Sequence, residues 1–203
     1  MFNEEALQKL KLLGFNKEKI SKIIVFKDIV LDFNKNYNVI SKNSEPHIWT
    51  RHILDSAQII NYINFEKRAS LSDLGTGAGF PGIILSIFNS NPSFHVKLYE
   101  KSSVKCLLLR KIKENLGINV EITNSDVKKI KINSNYIVCR AFKKLNEILS
   151  ISRENIQKKH KIIILKGKNA QEEVNKALIE SKFEYKLEKS ITDKDSKIII
   201  VDT

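Results

Sequence analysis

The chain has 203 residues, of which 42% are hydrophobic and 29% are charged, with only seven glycines and three prolines. This size and composition indicate a folded globular protein with one sizeable core and exclude a fibrous or disordered chain. Lysine and arginine outnumber aspartate and glutamate by 35 to 23, a net charge of +12, which favours a polyanionic partner such as nucleic acid. The abundance of lysine, isoleucine and asparagine throughout the chain offers a purely compositional explanation of the same charge.

We expect neither a membrane span nor a secretory leader. No stretch approaches the roughly 20 consecutive apolar residues of a membrane span, and the N-terminus mixes acids with apolar residues. We therefore expect a cytoplasmic protein with no membrane partner. The two cysteines, Cys106 and Cys139, lie far apart in apolar runs, so we expect reduced core residues and no metal site.

The N-terminal third is predicted to be helical. Between residues 3 and 63 apolar residues recur at spacings of three and four, and one continuous stripe is formed by Trp49, Ile53, Ala57 and Ile60. Ser44 is a candidate N-cap with Pro46 in the first turn, so a polar loop over 38–43 should lead into this helix.

After Lys67 the pattern changes to short apolar runs alternating with helical periodicity, which is typical of parallel βαβ units. Strands are predicted at 69–74, 95–99, 120–124, 136–139 and 161–166, with two more near Phe183 and Ile198. A helix over 102–116 should end at Gly117 and bury Val104, Leu108, Ile112 and Leu116.

These patterns predict one α/β domain over 1–203, expected to be monomeric. Residues 1–66 would form a helical cap, and residues 67–203 would form a Rossmann-like core with a seven-stranded, mostly parallel sheet.

A glycine-rich loop over 73–82 follows the first predicted strand and opens a helix, the position at which such sheets bind nucleotides. Glycines in this turn let the backbone approach a ligand closely. Glu100 ends the next predicted strand, at about the distance where a carboxylate meets ribose hydroxyls.

Three interpretations of the loop compete. Residues 77–82 literally satisfy the dinucleotide fingerprint, but Asp73 precedes the first glycine and Pro81 removes one donor for a pyrophosphate. S-adenosyl-L-methionine has no phosphate, and its cationic sulfonium and zwitterionic tail suit a carboxylate beside close glycine backbone, so we favour this cofactor. A glycine turn without a ligand is the third interpretation.

In several motifs the chain resembles the bacterial family of 16S ribosomal RNA guanine-N7 methyltransferases, also known as glucose-inhibited division protein B. The resemblance is carried by His47, Arg51, His52, Asp55 and Ser56, by Asp73, Gly75, Gly77, Gly79, Pro81 and Gly82, by Glu100 and Lys105, by Arg140-Ala141-Phe142 with Leu145, and by Leu165-Lys166-Gly167. It implies an S-adenosylmethionine-dependent methyltransferase fold and a partner that is 16S ribosomal RNA or the small ribosomal subunit.

The resemblance also implies site residues. Gly75 and Phe80 should contact the methyl donor, Val127 and Lys128 should flank its adenine, and Arg140 should lie at the reactive end. The expected cofactor-binding set is Asp73, Gly75, Gly77, Gly79, Phe80, Glu100, Val127, Lys128 and Arg140.

On the acceptor side, guanine N7 attacks with an exposed lone pair and has no proton to lose, so neither a general base nor a metal is needed. The carboxyl edge of the sheet should carry a basic rim formed by Lys101, Lys128, Lys129, Arg140, Lys143, Lys144, Lys166 and Lys168. Arg140 and Lys166 are the candidate catalytic residues, as donors to guanine or phosphate, although either could be a solvated loop residue.

The cap helix offers further polar candidates. Arg51 and Asp55 could form a surface ion pair or contact RNA, and His52 is expected to be a packed, hydrogen-bonded histidine. Two other functions remain open: a small-molecule methyltransferase, and a non-catalytic RNA-binding or ribosome assembly factor.

Overall fold

The computed structural model describes residues 3–203 and begins with two helices, α1 (Glu4–Leu12) and α2 (Lys17–Tyr37). Each helix starts at an asparagine, Asn3 or Asn16, whose side-chain oxygen accepts a hydrogen bond from the backbone N–H three residues on. Helix α2 ends at Asn38 in the left-handed conformation that asparagine tolerates (φ 47°). Asn16 and Asn38 therefore fix the two ends of α2.

The cap continues as a helical segment over 45–62 whose winding changes along its length. It consists of a 3₁₀ turn (Glu45–His47), a π-helix (Trp49–Leu54), one α-helical turn, α3 (Asp55–Ala57), and a second 3₁₀ turn (Gln58–Tyr62). The predicted apolar stripe is confirmed, because Trp49, Ile53, Ala57 and Ile60 are all buried. The wide π turn was not predicted; such turns often occur at functional sites.

Ser44 stands at the start of this segment, but the prediction that its side chain caps the helix is wrong. Its hydroxyl donates to the Ser41 carbonyl (2.9 Å), and no capping bond is made by its side chain. Ser41, in the loop over 38–43, engages this hydroxyl as an acceptor as well, because its own hydroxyl donates to Ser44 Oγ (2.9 Å).

A seven-stranded sheet with the order β3-β2-β1-β4-β5-β7-β6 forms the core. Its strands are β1 (Ala69–Leu74), β2 (Phe94–Glu100), β3 (Val120–Asn124), β4 (Tyr136–Arg140), β5 (Lys161–Lys166), β6 (Tyr185–Lys189) and β7 (Lys197–Asp202). Strands β1 to β5 pair in parallel, and β7 is antiparallel to both β5 and β6. The predicted seven-stranded, mostly parallel sheet is confirmed.

Four helices accompany the sheet: α4 (Gly82–Phe88), α5 (Ser103–Leu116), α6 (Leu145–Asn155) and α7 (Ala170–Glu180). As predicted, α5 ends at Gly117 in the left-handed conformation. Its buried face contains Leu108, Ile112 and Leu116 but not Val104, which is exposed, so that part of the predicted stripe is wrong. In the first turn of α5 the buried residue is Cys106.

The cap packs on the sheet through a shared hydrophobic cluster. Phe26 and Ile53 of the cap belong to the same buried cluster as Leu71 of the sheet and Ile83 of α4. The two cysteines are free and buried, as predicted. Across residues 3–203, every helix is too short or too polar to cross a membrane.

The strand order reverses between β1 and β4, which are neighbours in the sheet. The connections from β1 and β4 therefore leave the carboxyl edge in opposite directions and open a crevice between them. The glycine-rich loop follows β1, and Arg140 ends β4. The fold thus brings these two predicted elements together.

Candidate cofactor and acceptor site

Two cavities lie at this crevice, one of about 480 Å³ and one of about 240 Å³. Both are lined by Gly75, Glu100, Lys105 and Ala141. The larger cavity extends from the glycine loop to the cap, and the smaller one extends toward the loop after β3. Together they form a concave site of the size that small ligands require.

The Asp73 side chain lies beneath the glycine loop and lines neither cavity. Its side chain is fully buried, and its Oδ2 atom accepts hydrogen bonds from the Thr76 hydroxyl (2.6 Å) and the Gly82 N–H (2.7 Å). The carboxyl therefore ties both ends of the loop to β1. These contacts give Asp73 a positioning role, and its direct contact with the cofactor stays a prediction.

Burial raises the pKa of Asp73 to about 7, although the hydrogen bonds from Thr76 and Gly82 oppose this rise. The folded chain therefore holds this proton more tightly than the unfolded chain, in which an aspartate has a pKa of about 4. The stability that Asp73 contributes is greatest below about pH 4 and is lost as the pH rises through about 7.

We expect the Asp73→Asn variant to remove this trend. His52 has the opposite effect: burial lowers its pKa, so its contribution to the free energy of unfolding rises between about pH 3 and about pH 6.5. The test therefore compares the wild type with the variant at each pH, because His52 contributes equally to both. The free energy of unfolding of the wild type minus that of Asp73→Asn should be larger at about pH 5 than at about pH 8. Denaturant titrations at both values measure it, and equal differences would contradict the raised pKa.

The glycines of the loop have different surroundings. Gly77 lines the larger cavity, and an added Cβ there would meet nothing nearer than the Gly75 carbonyl oxygen at 3.9 Å. Gly79 is buried, and a Cβ there would fall 2.5 Å from the Ile83 side chain, so it serves close packing of the loop on α4. Gly75 and Gly77 are therefore placed to contact a ligand, whereas Gly79 lines neither cavity and its contact stays a prediction.

Glu100 lies between the two cavities and organises the loops around them. Its Oε2 accepts from the Gly77 N–H (3.0 Å), and its Oε1 accepts from the Ser102 N–H (2.8 Å). A carboxylate has about four acceptor sites, so both oxygens can still accept from a ligand. The predicted ribose contact remains a prediction that this geometry permits.

The predicted adenine contacts are only partly placed at a cavity. Val127 lines the smaller cavity together with Asp126. Lys128 does not line it: its backbone N–H donates to Asp126 (3.0 Å), and its ammonium group lies 3.6 Å from Glu147. The adenine contact assigned to Lys128 stays a prediction. Sequence reasoning missed Asp126, although it is a carboxylate two residues after the end of β3, as Glu100 ends β2.

Arg140 lies against the cap instead of reaching outward. Its Nη1 atom donates to the Arg51 carbonyl (2.8 Å), its Nη2 atom bonds His52 Nδ1 (2.5 Å), and Nη1 lies 3.6 Å from Asp55. The guanidinium also stacks over Phe80, 5.5 Å from the ring centroid. Arg140 lines the larger cavity, and its role as a donor to guanine or phosphate stays a prediction.

The contacts of Arg140 also show how the polar residues of the cap are paired. Asp55 pairs with Arg140, so the predicted Arg51–Asp55 surface pair is wrong, and the exposed Arg51 contributes its carbonyl. Burial, followed by the charges of Arg140 and Arg51, lowers the pKa of His52 to about 3. His52 is therefore neutral and is the packed, hydrogen-bonded histidine that was expected, in contact with the Phe80 ring.

Lys166 lines neither cavity, and its catalytic role stays a prediction. Its ammonium group donates to the Lys143 carbonyl (2.6 Å) and to Glu173 (2.7 Å), and Glu173 in turn accepts from the Leu145 N–H. Lys166 therefore fixes the start of α6.

The predicted basic rim is partly neutralised. Lys128 and Lys143 share Glu147, and Arg140 and Lys166 are paired as described. The remaining predicted lysines are exposed and form no ion pair within residues 3–203: Lys101, Lys129, Lys144 and Lys168.

Two further segments that sequence reasoning missed line the larger cavity. One is the start of the loop after α2, with Val39, Ile40 and Ser41; the other is the turn between β6 and β7, with Thr192, Asp193 and Ser196. Neither carries a recognisable motif, and their place at the cavity depends on how the cap and the last strands pack.

Comparisons with known proteins identify the family. A family model described as rRNA small subunit methyltransferase G matches residues 19–199. The Ribosomal RNA small subunit methyltransferase G of Rickettsia bellii is 41% identical over 182 residues, which is 90% of this chain and 92% of the relative. The protein of the same name from Rickettsia typhi is 40% identical over 184 residues, 91% and 94% of the two chains.

A crystal structure of a SAM dependent methyltransferase from Aquifex aeolicus has a TM-score of 0.62 with this chain at 15% identity. The alignment covers 79% of this chain and 94% of that one. This likeness shows the fold alone, and it confirms the predicted Rossmann-like methyltransferase fold. The family match and the two relatives go further: this chain belongs to the rRNA small subunit methyltransferase G family, GidB.

Proposed function

We propose that this protein transfers a methyl group from S-adenosyl-L-methionine to N7 of a guanine in 16S ribosomal RNA, either free or in the small ribosomal subunit. The observation that carries the proposal is the family match over residues 19–199, which includes every residue that lines the two cavities. We also propose that the chain acts as a single-domain monomer in the cytoplasm, with residues 1–66 as the cap.

The cavities fit the methyl donor. When bound, S-adenosylmethionine supplies an electrophilic methyl group on a cationic sulfur. The open space beside Gly77 would admit the ligand close to the backbone, and Glu100 would face the ribose hydroxyls. Val127, in the smaller cavity, would contact the adenine, and Phe80 would form an apolar wall of the larger one.

The residues around the larger cavity suit an acceptor that needs no proton removed. Guanine N7 attacks with its lone pair, so the protein has to align the reactants and exclude water. His52 is neutral and hydrogen-bonded to Arg140, which leaves it as a wall of the cavity. We propose that Arg140 is a positioning residue that holds the cap over the cavity.

The exposed lysines at the carboxyl edge would hold the RNA backbone. Lys101 lines the smaller cavity, Arg51 lines the larger one, and both are exposed. Basic groups in these positions would neutralise phosphates that flank the target base and release counterions. The donor site and this edge therefore adjoin, as transfer to a base within RNA requires.

The proposal predicts transfer of labelled methyl from S-adenosylmethionine to small ribosomal subunits, or their RNA, taken from cells that lack this enzyme. Nuclease digestion and mass mapping should recover N7-methylguanine from a single position. Raising the salt should weaken RNA binding steeply, since log K falls linearly with log salt concentration.

Fully modified subunits serve as the control and should accept almost no label. Absence of incorporation into every ribosomal substrate, with the donor still bound in calorimetry, would support a non-catalytic RNA-binding or assembly factor. Transfer to a small molecule that is indifferent to salt and RNA would support the other alternative.

A further inference from the structure

The turn over 190–196, between β6 and β7, lies on the acceptor side of the larger cavity. Because β7 is antiparallel to both β5 and β6, the end of β6 lies at the same sheet edge as the carboxyl ends of β1 to β5. In the strand order, β6 and β7 stand beyond β4, on the side away from β2 and β3. Glu100 and the smaller cavity belong to that opposite side.

The cap holds this turn in place. Gln58 accepts from the Ile191 N–H (2.9 Å) and donates to the Ser190 hydroxyl (3.2 Å). The Thr192 hydroxyl donates to Asp55 Oδ1 (3.1 Å), the same carboxylate that pairs with Arg140. The turn is therefore a fixed wall of the cavity, joined to the contacts of Arg140.

Asp193 differs from the other two carboxylates that line the larger cavity, Asp55 and Glu100. Asp55 is paired with Arg140 and accepts from two side chains, and both oxygens of Glu100 accept from backbone N–H groups. Asp193 is exposed, and its Oδ1 accepts from the N–H groups of Asp195 (2.8 Å) and Ser196 (3.2 Å). Its Oδ2 atom has no hydrogen bond or ion pair with any residue in 3–203.

We propose that Asp193 selects guanine by accepting hydrogen bonds from its Watson–Crick edge, an assignment that rests on the proposed function. Guanine presents two adjacent donors there, N1–H and the 2-amino group, and both acceptor sites of Asp193 Oδ2 are available for them. Flipped or single-stranded bases are commonly read on this edge. The contact leaves N7, on the other edge of the purine, free to attack.

The same carboxylate disfavours adenine. Adenine N1 is an acceptor without a proton, so a carboxylate oxygen that faces it would meet a lone pair. Hydrogen bonds to an ionised acceptor are roughly twice as strong as those between neutral groups. One fixed carboxylate is therefore sufficient to bias the cavity toward guanine.

The test uses two variants and two RNA substrates. Asp193→Asn keeps the Oδ1 acceptor for the Asp195 and Ser196 N–H groups but replaces the free oxygen by a donor, so the turn should stay folded. The matched control is Asp195→Asn, which makes the same change of charge two residues away, outside the cavity. The substrates are 16S RNA with guanosine and 16S RNA with inosine at the methylated position; inosine keeps N7 and N1–H but lacks the 2-amino group.

Asp193→Asn should lower kcat/KM on guanosine RNA by about 10- to 100-fold, while Asp195→Asn changes it by less than about threefold. Inosine should lower kcat/KM of the wild type but have little further effect on Asp193→Asn, because the contact is already lost. Donor affinity, measured by calorimetry, should be unchanged in both variants.

Equal kcat/KM for Asp193→Asn and the wild type would overturn the assignment and leave the proposed function intact. Independent, multiplicative effects of the variant and of inosine would also overturn it, because Asp193 would then act on something other than the 2-amino group. A wild type that methylates neither RNA would refute the proposed function itself, and the assignment with it.

Discussion

Replacing Gly75 by valine is expected to weaken S-adenosylmethionine binding by at least about 100-fold, or about 3 kcal/mol. Gly75 has a φ of +69°, and a Cβ atom there would fall 2.2 Å from Cδ2 of Phe142. Gly75 lines both cavities and Phe142 lines the smaller one. Whether the loop or the ring moves to relieve the clash, the wall of the donor site changes. Calorimetric titration of the purified variant measures the loss.

Gly117→Val is the matched control for this experiment. Gly117 also has a positive φ, +58°, but an added Cβ would find nothing within 4 Å, and the residue caps α5 away from both cavities. Both variants therefore carry the backbone strain of a left-handed conformation, about 1–2 kcal/mol. Only Gly75→Val should lose the donor. An equal loss of donor affinity in both variants would show that backbone strain, and not the clash with Phe142, causes the effect. Full affinity in Gly75→Val would contradict the prediction.

Local sequence pattern was sufficient to predict the strands of the sheet, though not their order. Three strands match their predicted bounds, at 69–74, 120–124 and 161–166. Strand β5 is a continuous apolar run, which is typical of a parallel strand buried on both faces. The glycine loop was also predictable, because three of its glycines have positive φ values that other residues rarely adopt.

Side-chain roles at the edge of the sheet were not predictable in the same way. The sequence places Arg140 and Lys166 at the ends of strands, but not the direction in which each side chain turns. His52 is 88 positions from Arg140 in the chain, and Glu173 binds Lys166 from α7. These partners depend on how the cap and the helices pack, which no local periodicity encodes.

The turn after β6 was missed for a related reason. Its sequence is polar and resembles an ordinary surface loop, and its place at the cavity depends on β7 inserting between β5 and β6. Strand order is a property of the whole sheet. Without the strand order, the sequence does not indicate that Asp193 lies at the carboxyl edge of the sheet.

Replacing Arg140 by alanine is expected to lower methyl transfer by at least about 100-fold while changing donor affinity by less than about fivefold. The guanidinium joins the end of β4 to the Arg51 carbonyl, His52 and Asp55, so its removal releases the cap from the core beside the acceptor cavity. It also leaves the largely buried Asp55 carboxylate without its cation, and breaking a buried pair from one side costs about 3 kcal/mol of unfolding free energy. Single-turnover transfer, calorimetry and denaturant titration measure the three quantities.

Two further variants separate the positioning role from simple charge balance. Arg51→Ala removes an exposed side chain but keeps the carbonyl that accepts from Arg140, so stability should change by less than about 0.5 kcal/mol. In the double variant Arg140→Ala with Asp55→Asn, the unpaired charge is gone, and part of the lost stability should return. Transfer should remain low, because an asparagine cannot reconnect β4 with His52 and the cap. Recovery of transfer along with stability would mean that Arg140 serves to neutralise Asp55 and does not position the acceptor side.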